Sequence, residues 1–471
     1  MNTLPPDTTR QLARWIVDLR FENLPATTVA MAKRQVLDTL AVAWAGTRAD
    51  SVEPLRKLIV RSGGVPEASV WCFGDRLPAT QAAFLNGMLA SALDYDSLHD
   101  RATVHPDAIT LPALLALADA RGASGRDVIT ALVAGNELMV RLGLAARSHP
   151  GWFYSSLFGV FGGVAAASRL IGLDETRTLH ALGIALSQAA GTQQPLLERS
   201  LTKRLQTAYA ARSSVEAALF AEVGVTGPAQ PLEGSSGIHT LVTPLDPAPL
   251  LEGLGTRYDI HGLTLKKYAS CMCNHGPIEA TLRLITAHNL KAADVQSIVA
   301  TISPFMHRLT GAPFSPGDNP QVSAQFSVQY SVASALLRGR FDVSDLDPSA
   351  VLNAEVGALA SRVQVQVNPA ASKFVPATVT LQLHDGRRFE QTVHTLPGTP
   401  DAPLLPEELN HKALTSFTDA LRPMSRAHAQ ALIHAIQTLE TCVDVRDLLG
   451  HARGNEFQVS NRHTQSTMEL T

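Results

Sequence analysis

Alanine-rich segments with helical periodicity follow one another from residue 7 to about residue 260, and they constrain the fold more than any other feature of the chain. Apolar residues recur in these segments at spacings of three and four, as they do in helices that bury one face or more. Because alanine and glycine let helices approach closely, we predict a compact helical bundle. The predicted helices are 82–93, 111–121, 125–144, 159–170, 175–190 and 203–223. Ser124 and Asp174 are predicted to cap the helices that follow them, and Gly172 lies just past a helix end, where a left-handed residue is favoured.

The pattern changes after about residue 260. Runs of β-branched residues predict four strands, and the Asp385-Gly386 pair predicts a hairpin turn between the last two. The predicted strands are 295–303, 362–367, 377–383 and 388–393, and the predicted helices are 277–288, 324–337, 406–418, 425–439 and 443–449.

We therefore predict a mostly α protein. Residues 1–260 and 402–455 would form a large, discontinuous all-helical domain, and residues 261–401 a smaller α+β domain. The polar residues 456–471 are predicted to be a disordered tail.

The composition narrows the classes of function. The formal net charge is −3 and the 39 Lys and Arg residues are scattered, so nothing indicates nucleic-acid binding. No uninterrupted apolar run reaches about 18 residues and the N-terminus lacks a secretory pattern, so we expect no membrane span and no export. The 4 cysteines are too few for a disulfide framework. We expect a cytoplasmic protein.

A loop between two apolar helices concentrates acids and histidines. Asp94, Asp96, His99 and His105 lie close together in the sequence. Such groups are costly to bury unless they are solvated, paired or used. One interpretation is a general acid/base cluster, in which His105 is suited to proton transfer near neutral pH. The alternative is a solvated loop whose acids cap helices.

Two cations, Lys203 and Arg204, open an alanine-rich helix. Helix N-termini favour anions, so cations there are unfavourable unless an anion lies close by. A bound carboxylate would resolve this conflict, and an ion pair with Glu198 is the alternative. Farther along, Tyr330 lies on a helix of small and apolar residues, where it is either a pocket residue or a packed core tyrosine.

Lys266 and Lys267 precede a group of metal-ligand residue types, Cys271, Cys273 and His275. This group suggests zinc, but structural zinc usually takes four ligands, with about two to four residues between paired cysteines. We therefore favour buried, unliganded cysteines.

Taken in this order, these segments resemble the MmgE/PrpD family, which includes 2-methylcitrate dehydratase, cis-aconitate decarboxylase and iminodisuccinate epimerase. Residues 34–41, 84–87 and 159–167 also match, and the resemblance covers the chain from about residue 10 to about residue 449. It implies a pocket between an all-helical domain and an α+β domain. It also implies a homodimer that acts on a small-molecule carboxylate without a metal or organic cofactor.

The resemblance implies four pocket residues, at the positions of His105, Lys203, Lys266 and Tyr330. One departure concerns Ser97, which stands where the family commonly has its catalytic Asp, so that Asp96 or Asp94 is the nearest substitute. The candidate catalytic residues are His105, Lys266, Tyr330, Asp96 and Tyr154, and the candidate substrate-binding residues are Lys203, Asp94, Arg204, Lys267 and Ser97.

A second departure is Phe153, which stands where the family often has a His; Tyr154 or His149 could replace it. The family chemistry is proton transfer at a carbon next to a carboxylate, whose developing charge the lysines would stabilise. We therefore predict a metal-independent lyase, of dehydratase or decarboxylase type, for a small di- or tricarboxylate. The alternatives are an epimerase or isomerase that uses Tyr154 and Lys266 as its two bases, and a family member that binds carboxylates without catalysis.

Overall fold

The computed structural model describes residues 4–453, so the predicted tail at 456–471 lies outside the described residues. The first part of the chain forms a layer of packed helices with three short strands. The helices are α1 (Thr8–Asp18), α2 (Ala26–Ala45), α3 (Val52–Val60), α4 (Ala79–Ser91), α5 (Asp107–Arg121), α6 (Gly125–Ala145), α7 (Tyr154–Ile171), α8 (Glu175–Leu186), α9 (Gln194–Leu197), α10 (Thr202–Glu222), α11 (Ile238–Leu241) and α12 (Pro247–Leu251). The strands are β1 (Ala68–Ser69), β2 (Arg76–Leu77) and β3 (Leu98–His99).

Capping residues set the ends of several of these helices. The Ser124 side chain accepts the backbone N–H of Asp127 at the start of α6, and the Asp174 side chain accepts that of Arg177 at the start of α8. Gly172 ends α7 in the left-handed conformation, with φ 72°. These caps were predicted from the sequence and are confirmed.

Small residues let α6 and α7 approach closely. A Cβ atom added to Gly135 would lie 2.7 Å from the backbone oxygen of Gly162, so only glycine fits this contact. Both helices are long and apolar enough to cross a membrane by length and composition, which the sequence interpretation did not anticipate. However, 94% of the apolar window of α6 and 83% of that of α7 are buried inside the protein, so both serve as core helices.

The second part of the chain builds a four-stranded sheet flanked by helices. Its strands run in the order β6 (Val363–Val367), β5 (Val295–Ile302), β7 (Ala377–Leu383) and β8 (Arg388–Val393). β5 is parallel to β6 and antiparallel to β7, and β7 and β8 form the predicted hairpin with Gly386 at φ 88°. The other elements are β4 (Leu263–Thr264), α13 (Met272–His288), α14 (Pro304–Thr310), α15 (Pro320–Gln325), α16 (Val328–Arg338), α17 (Pro348–Val351) and α18 (Ala354–Ala360).

One helix predicted as continuous is broken into two in the structure. The sequence predicts a single helix over 324–337, but α15 ends at Gln325 and α16 begins at Val328. Ser327 leaves the helical conformation and its side chain caps α16 by accepting the backbone N–H of Tyr330 at 3.1 Å. Serine competes for backbone hydrogen bonds in this way, and the apolar periodicity on either side hides the break.

The last helices return to the first layer. They are α19 (Pro406–Thr418), α20 (Arg426–Gln437) and α21 (Val445–His451). Lys412 of α19 forms a buried ion pair with Asp38 of α2 at 2.6 Å, and the rings of Phe417 and Trp44 meet edge to face with centroids 5.6 Å apart. The mostly α class with a smaller α+β part is thereby confirmed; the exact domain boundaries at 260 and 402 stay predictions.

Candidate active site

Strand pairing brings two predicted site segments together. β3 pairs with β4, with Leu98 opposite Thr264 and His99 opposite Leu263, so the loop with the acids and His105 lies beside Lys266. Together with the start of α10, these segments surround a cavity of about 520 Å³. Its lining residues are Asp94, Leu98, Thr103, His105, His149, Phe153, Tyr154, Gln193, Leu196, Lys203, Lys266, Cys271, Met272, Cys273, Phe305, Arg308, Leu309, Phe326, Lys373 and Phe374.

Asp94 binds two lysines at the buried end of this cavity. Its Oδ1 forms an ion pair with Lys203, and its Oδ2 lies 3.2 Å from the Nζ of Lys266. Burial alone would raise the pKa of Asp94, but the two ammonium groups outweigh it and hold that pKa well below its usual range. Burial would likewise lower the pKa of Lys203, but the neighbouring carboxylates raise it. The Asp94 carboxyl and the Lys203 amine are therefore held in their charged forms, and Lys266 is a second cation on the same carboxylate.

The backbone of Asp94 is part of the same arrangement. Its φ of 52° is in the left-handed region, which is costly for a residue with a side chain and is often found at functional sites. Lys266 Nζ donates a hydrogen bond at 2.5 Å to the carbonyl oxygen of Asp94, in addition to its contact with the carboxylate. Lys266 thus holds both the side chain and the backbone of Asp94 in place.

Asp96 lies behind His105. The Oδ2 of Asp96 is 3.1 Å from the Nδ1 of His105, at ion-pair distance but without hydrogen-bond geometry. Burial would raise the pKa of Asp96, but His105 and then Lys203 lower it overall. Since Nδ1 faces Asp96 and His105 lines the cavity, Nε2 is the ring nitrogen left for a substrate. Asp96 is in a position to orient this imidazole.

Asp107 lies under the same loop, at the start of α5. It accepts hydrogen bonds at 2.5 Å from Ser97 Oγ and at 2.5 Å from Asn136 Nδ2. Burial raises the pKa of Asp107 to about 7, although both hydrogen bonds oppose this shift. Ser97 is not among the residues that line the cavity, so its predicted contact with substrate is not supported. Its hydroxyl is used to bind Asp107 instead.

The wall near Phe153 contains both proposed replacements for the missing histidine. The ring of Tyr154 lies 4.3 Å from the ring of His149, and His149 Nδ1 lies 3.1 Å from Gln193 Nε2. The hydroxyl of Tyr154 donates to the carbonyl oxygen of Ser148, and burial raises the pKa of Tyr154. The alternatives left open by the sequence are thus both present at the cavity.

Tyr330 lies away from this cavity, contrary to the expectation from the resemblance. It is fully buried, its ring centroid is 5.2 Å from that of Phe314, and its hydroxyl donates to the carbonyl oxygen of Asp345. The packing is that of a core tyrosine with a satisfied hydroxyl. The geometry therefore does not support a direct contact of Tyr330 with substrate in this cavity.

Two predicted cations also point elsewhere. Arg204 is buried and donates to the carbonyl oxygen of Asp50 at 2.8 Å, because consecutive helical residues point in different directions. Lys267 pairs with Glu279 at 3.2 Å and lines a separate cleft of about 600 Å³. In the extended segment before α13, successive side chains alternate, so that Lys266 faces the cavity and Lys267 does not.

Two cavity cations were not found from the sequence. Arg308 comes from α14, and Lys373 from the loop before β7. The Nζ of Lys373 donates to the carbonyl oxygen of Asp100 at 2.5 Å and to Thr103 Oγ1 at 2.9 Å, so it holds the loop that carries His105. Neither cation belongs to a local motif, and only the fold brings both of them to the site.

The cysteine segment also lines the cavity. Cys271 is the N-cap of α13, and Cys271 and Cys273 are both buried at the wall of the cavity. His275 turns away, with its Nε2 3.4 Å from the carbonyl oxygen of Ser270. Within residues 4–453, no group of three His, Cys, Asp or Glu side chains is placed to hold a metal ion. The zinc interpretation therefore finds no support in this geometry.

Comparison with known proteins gives consistent matches along the chain. The MmgE/PrpD N-terminal domain matches residues 10–249, and the MmgE/PrpD C-terminal domain matches residues 268–440. The chain is 27% identical to the cis-aconitate decarboxylase-like protein oryM of Aspergillus oryzae, over 95% of this chain and 97% of that protein. It is also 27% identical to the cis-aconitate decarboxylase of Mus musculus, over 96% of this chain and 94% of the relative.

Proposed function

Because the chain belongs to the MmgE/PrpD family, we propose that it is a lyase of the decarboxylase or dehydratase type that acts on a small tricarboxylate. Two relatives that cover nearly the whole chain, those of Mus musculus and of Aspergillus terreus, are named cis-aconitate decarboxylases, which supports a tricarboxylate as the substrate class. At 26–27% identity these names do not decide between the reactions of the family.

One observation carries the proposal: a proton-transfer group and an excess of positive charge meet in one cavity. His105, backed by Asp96, supplies the proton-transfer group, and Lys203 and Lys266 share the single carboxylate of Asp94. The lysines are 7% and 0% exposed, so water screens their charge little. Such a site favours an anionic substrate and stabilises charge that develops on its carboxylate during the reaction.

This arrangement fits both lyase reactions. In a decarboxylation, the electrons of the broken carbon–carbon bond pass into the remaining unsaturated carboxylate, and a proton is then added to carbon. In a dehydration, a base removes a proton beside a carboxylate, and the hydroxyl group leaves as water after protonation. We propose that His105 transfers the proton in either case and that Lys266 and Lys203 stabilise the negative charge.

The test is direct incubation of the purified protein with cis-aconitate, citrate and 2-methylcitrate. Proton NMR follows the loss of substrate, and released carbon dioxide distinguishes decarboxylation from dehydration. We expect turnover of at least one of these acids and its loss in a Lys266→Met variant. Turnover of none of them would overturn the proposal and would favour a family member that binds carboxylates without catalysis.

The epimerase alternative has one supporting observation, since Tyr154 and Lys266 both line the cavity. However, the proton of the Tyr154 hydroxyl is engaged by the carbonyl oxygen of Ser148, and burial raises the pKa of this tyrosine. Both facts make Tyr154 a poor base. Exchange of a substrate proton for deuterium in heavy water, without elimination or loss of carbon dioxide, would favour the epimerase over the lyase.

We propose that the chain acts as a homodimer, as the family resemblance implies, and that it works in the cytoplasm on a soluble carboxylate. Light scattering coupled to size-exclusion chromatography tests the first of these, with a single species of about twice the 50.3 kDa chain mass as the expected result.

A further inference from the structure

Arg308 differs from the other cations of the cavity because it has no acidic partner. Lys203 and Lys266 pair with Asp94, and Lys373 lies 3.0 Å from a carboxylate oxygen of Asp100. Within residues 4–453, no Asp or Glu oxygen lies within 4.0 Å of the Arg308 guanidinium. Arg308 is exposed, whereas the two lysines are buried, so it belongs to the mouth of the cavity.

An aromatic ring supports the Arg308 side chain. Its guanidinium carbon lies 5.2 Å from the centroid of the Phe305 ring, one turn earlier on α14. A guanidinium that rests on an aromatic ring presents its face to the ring and keeps its in-plane N–H groups for other partners. These N–H groups match the two oxygens of a carboxylate in a fork geometry.

The charge of Arg308 reaches into the cavity. The pKa of His149, which lines the cavity wall, is lowered first by burial and then by the positive charges of Lys373 and Arg308. Arg308 is therefore close enough to the bound-substrate space to act on a charged group there. The cavity thus has a buried cationic end at Lys203 and Lys266 and a second cation at its mouth.

We propose that Arg308 binds a substrate carboxylate that is remote from the reacting carbon, and so makes the site selective for tricarboxylates over dicarboxylates. The inference rests on the proposed function for the orientation of the substrate, with its reacting end at Lys266 and His105. Dicarboxylates would fill the buried end but leave the Arg308 guanidinium in water. Tricarboxylates would fill both ends.

The experiment measures binding, so that it does not depend on turnover. Isothermal titration calorimetry compares propane-1,2,3-tricarboxylate with methylsuccinate, which is the same molecule without one terminal carboxylate. The wild-type protein is expected to prefer the tricarboxylate. An Arg308→Gln variant should bind it about tenfold more weakly, as is reasonable for one charge-assisted contact at a partly solvated site. Its affinity for methylsuccinate should change less than twofold.

Two further variants control for charge and geometry. Arg177→Gln removes an exposed arginine that pairs with Asp174 on α8 and should change neither affinity. Arg308→Lys keeps the charge and should retain part of the preference and of its sensitivity to added salt.

Three results would overturn the inference: equal losses for both ligands in Arg308→Gln, no loss for either, or a wild-type protein that binds neither ligand. A different result would contradict the proposed function and leave the Arg308 inference intact. If the wild-type protein binds the tricarboxylate in an Arg308-dependent way but turns over none of the tested acids, the lyase proposal is wrong while the carboxylate contact stands.

Discussion

Two buried ionic clusters in this molecule look alike in composition and differ in how completely they are bonded. In α6, Glu137 and Arg141 form an ion pair at 2.7 Å with both side chains 0–1% exposed. Arg141 also donates to backbone carbonyl oxygens within and after α12, and Glu137 accepts the backbone N–H groups of Asp259 and Ile260. At the cavity, Asp94 and Asp96 face lysines and a histidine, and neither carboxylate oxygen of Asp96 has a hydrogen-bond donor among residues 4–453.

This difference in hydrogen bonding distinguishes a structural cluster from a functional one. A buried charge is tolerated when every donor and acceptor is used, and the Glu137–Arg141 pair meets this condition with the chain's own backbone. In the cavity cluster, both oxygens of the Asp96 carboxylate lack a donor within residues 4–453, and the cavity beside it is lined by four cations and one carboxylate. We infer that an anionic substrate binds the cations of this cavity, so that changes in the Glu137–Arg141 pair should affect stability and changes in the cavity lysines should affect turnover.

The largest expected effect on stability belongs to Arg141. Arg141→Met should lower the free energy of unfolding by about 3–5 kcal/mol, because it leaves the Glu137 carboxylate buried without a counter-charge. Urea unfolding at neutral pH measures this loss. Turnover at low temperature should stay within twofold of the wild-type value. The double variant with Glu137→Gln should recover part of the stability, and a double variant no more stable than Arg141→Met would contradict the account.

Lys266, in contrast to Arg141, should matter mainly for turnover. Lys266→Met should reduce kcat by about 10²–10³-fold, the usual cost of removing one group that stabilises charge in the transition state. The neighbouring Lys267→Met provides the matched control, because Lys267 pairs with Glu279 in a different cleft and should leave kcat within twofold. Steady-state kinetics on the acid that is turned over gives both values. Equal losses in the two variants would mean that the assignment of Lys266 to the cavity is wrong.

Sequence reasoning succeeded where the physics is local. Helical periodicity and caps such as Ser124 and Asp174 depend on neighbouring residues, and the structure confirms them. The same holds for the Asp385-Gly386 turn, since a positive φ at Gly386 is a local requirement. The break before α16 was missed because Ser327 offers no signal that distinguishes an internal helical serine from a cap.

Site prediction was limited by side-chain direction and by long-range assembly. Lys266 and Lys267 are chemically identical in the sequence, and only the pairing of β3 with β4 decides which one faces Asp94. Tyr330 has the family position, yet its hydroxyl finds the Asp345 carbonyl in the core. Arg308 lies about a hundred residues from Lys203, so no spacing argument could connect them.

Asp107 should link stability to pH. Its pKa of about 7 in the folded protein lies above the ordinary carboxyl value, so the folded state binds a proton that the unfolded state has lost. The stability from this group is complete below about pH 4 and is lost as pH rises towards 7, at most about 1.4 kcal/mol per pH unit.

Asp107→Asn removes this titration. The difference in melting temperature, variant minus wild type, should therefore become more positive between pH 4 and pH 7 and stay constant above pH 7. Differential scanning fluorimetry across this range measures it. Parallel curves for the two proteins would show that Asp107 does not carry a raised pKa. Ser97→Ala removes one of the two hydrogen bonds that oppose the raised pKa of Asp107, so it should keep the loss of stability with rising pH and extend that loss to a higher pH.

The smallest expected effect on stability belongs to Lys373, which lines the cavity but is bonded to the loop that contains Asp100 and Thr103. Its ion pair with Asp100 is 27% and 46% exposed on the two sides, so Lys373→Met should cost less than about 1 kcal/mol of stability. The same change frees the loop that leads to His105, and we expect kcat to fall about tenfold, or ~1.4 kcal/mol in the activation free energy.

The two kinetic parameters separate positioning from binding at Lys373. If its ammonium group only holds the loop through Asp100 and Thr103, Lys373→Met lowers kcat and leaves KM within about twofold, and Lys373→Arg restores most of kcat. A raised KM with unchanged kcat would instead make Lys373 a second carboxylate-binding cation beside Arg308. The Asp100 carbonyl, the Asp100 carboxylate and the Thr103 hydroxyl occupy the three N–H donors of the ammonium group, and this saturation is the reason to expect the first outcome.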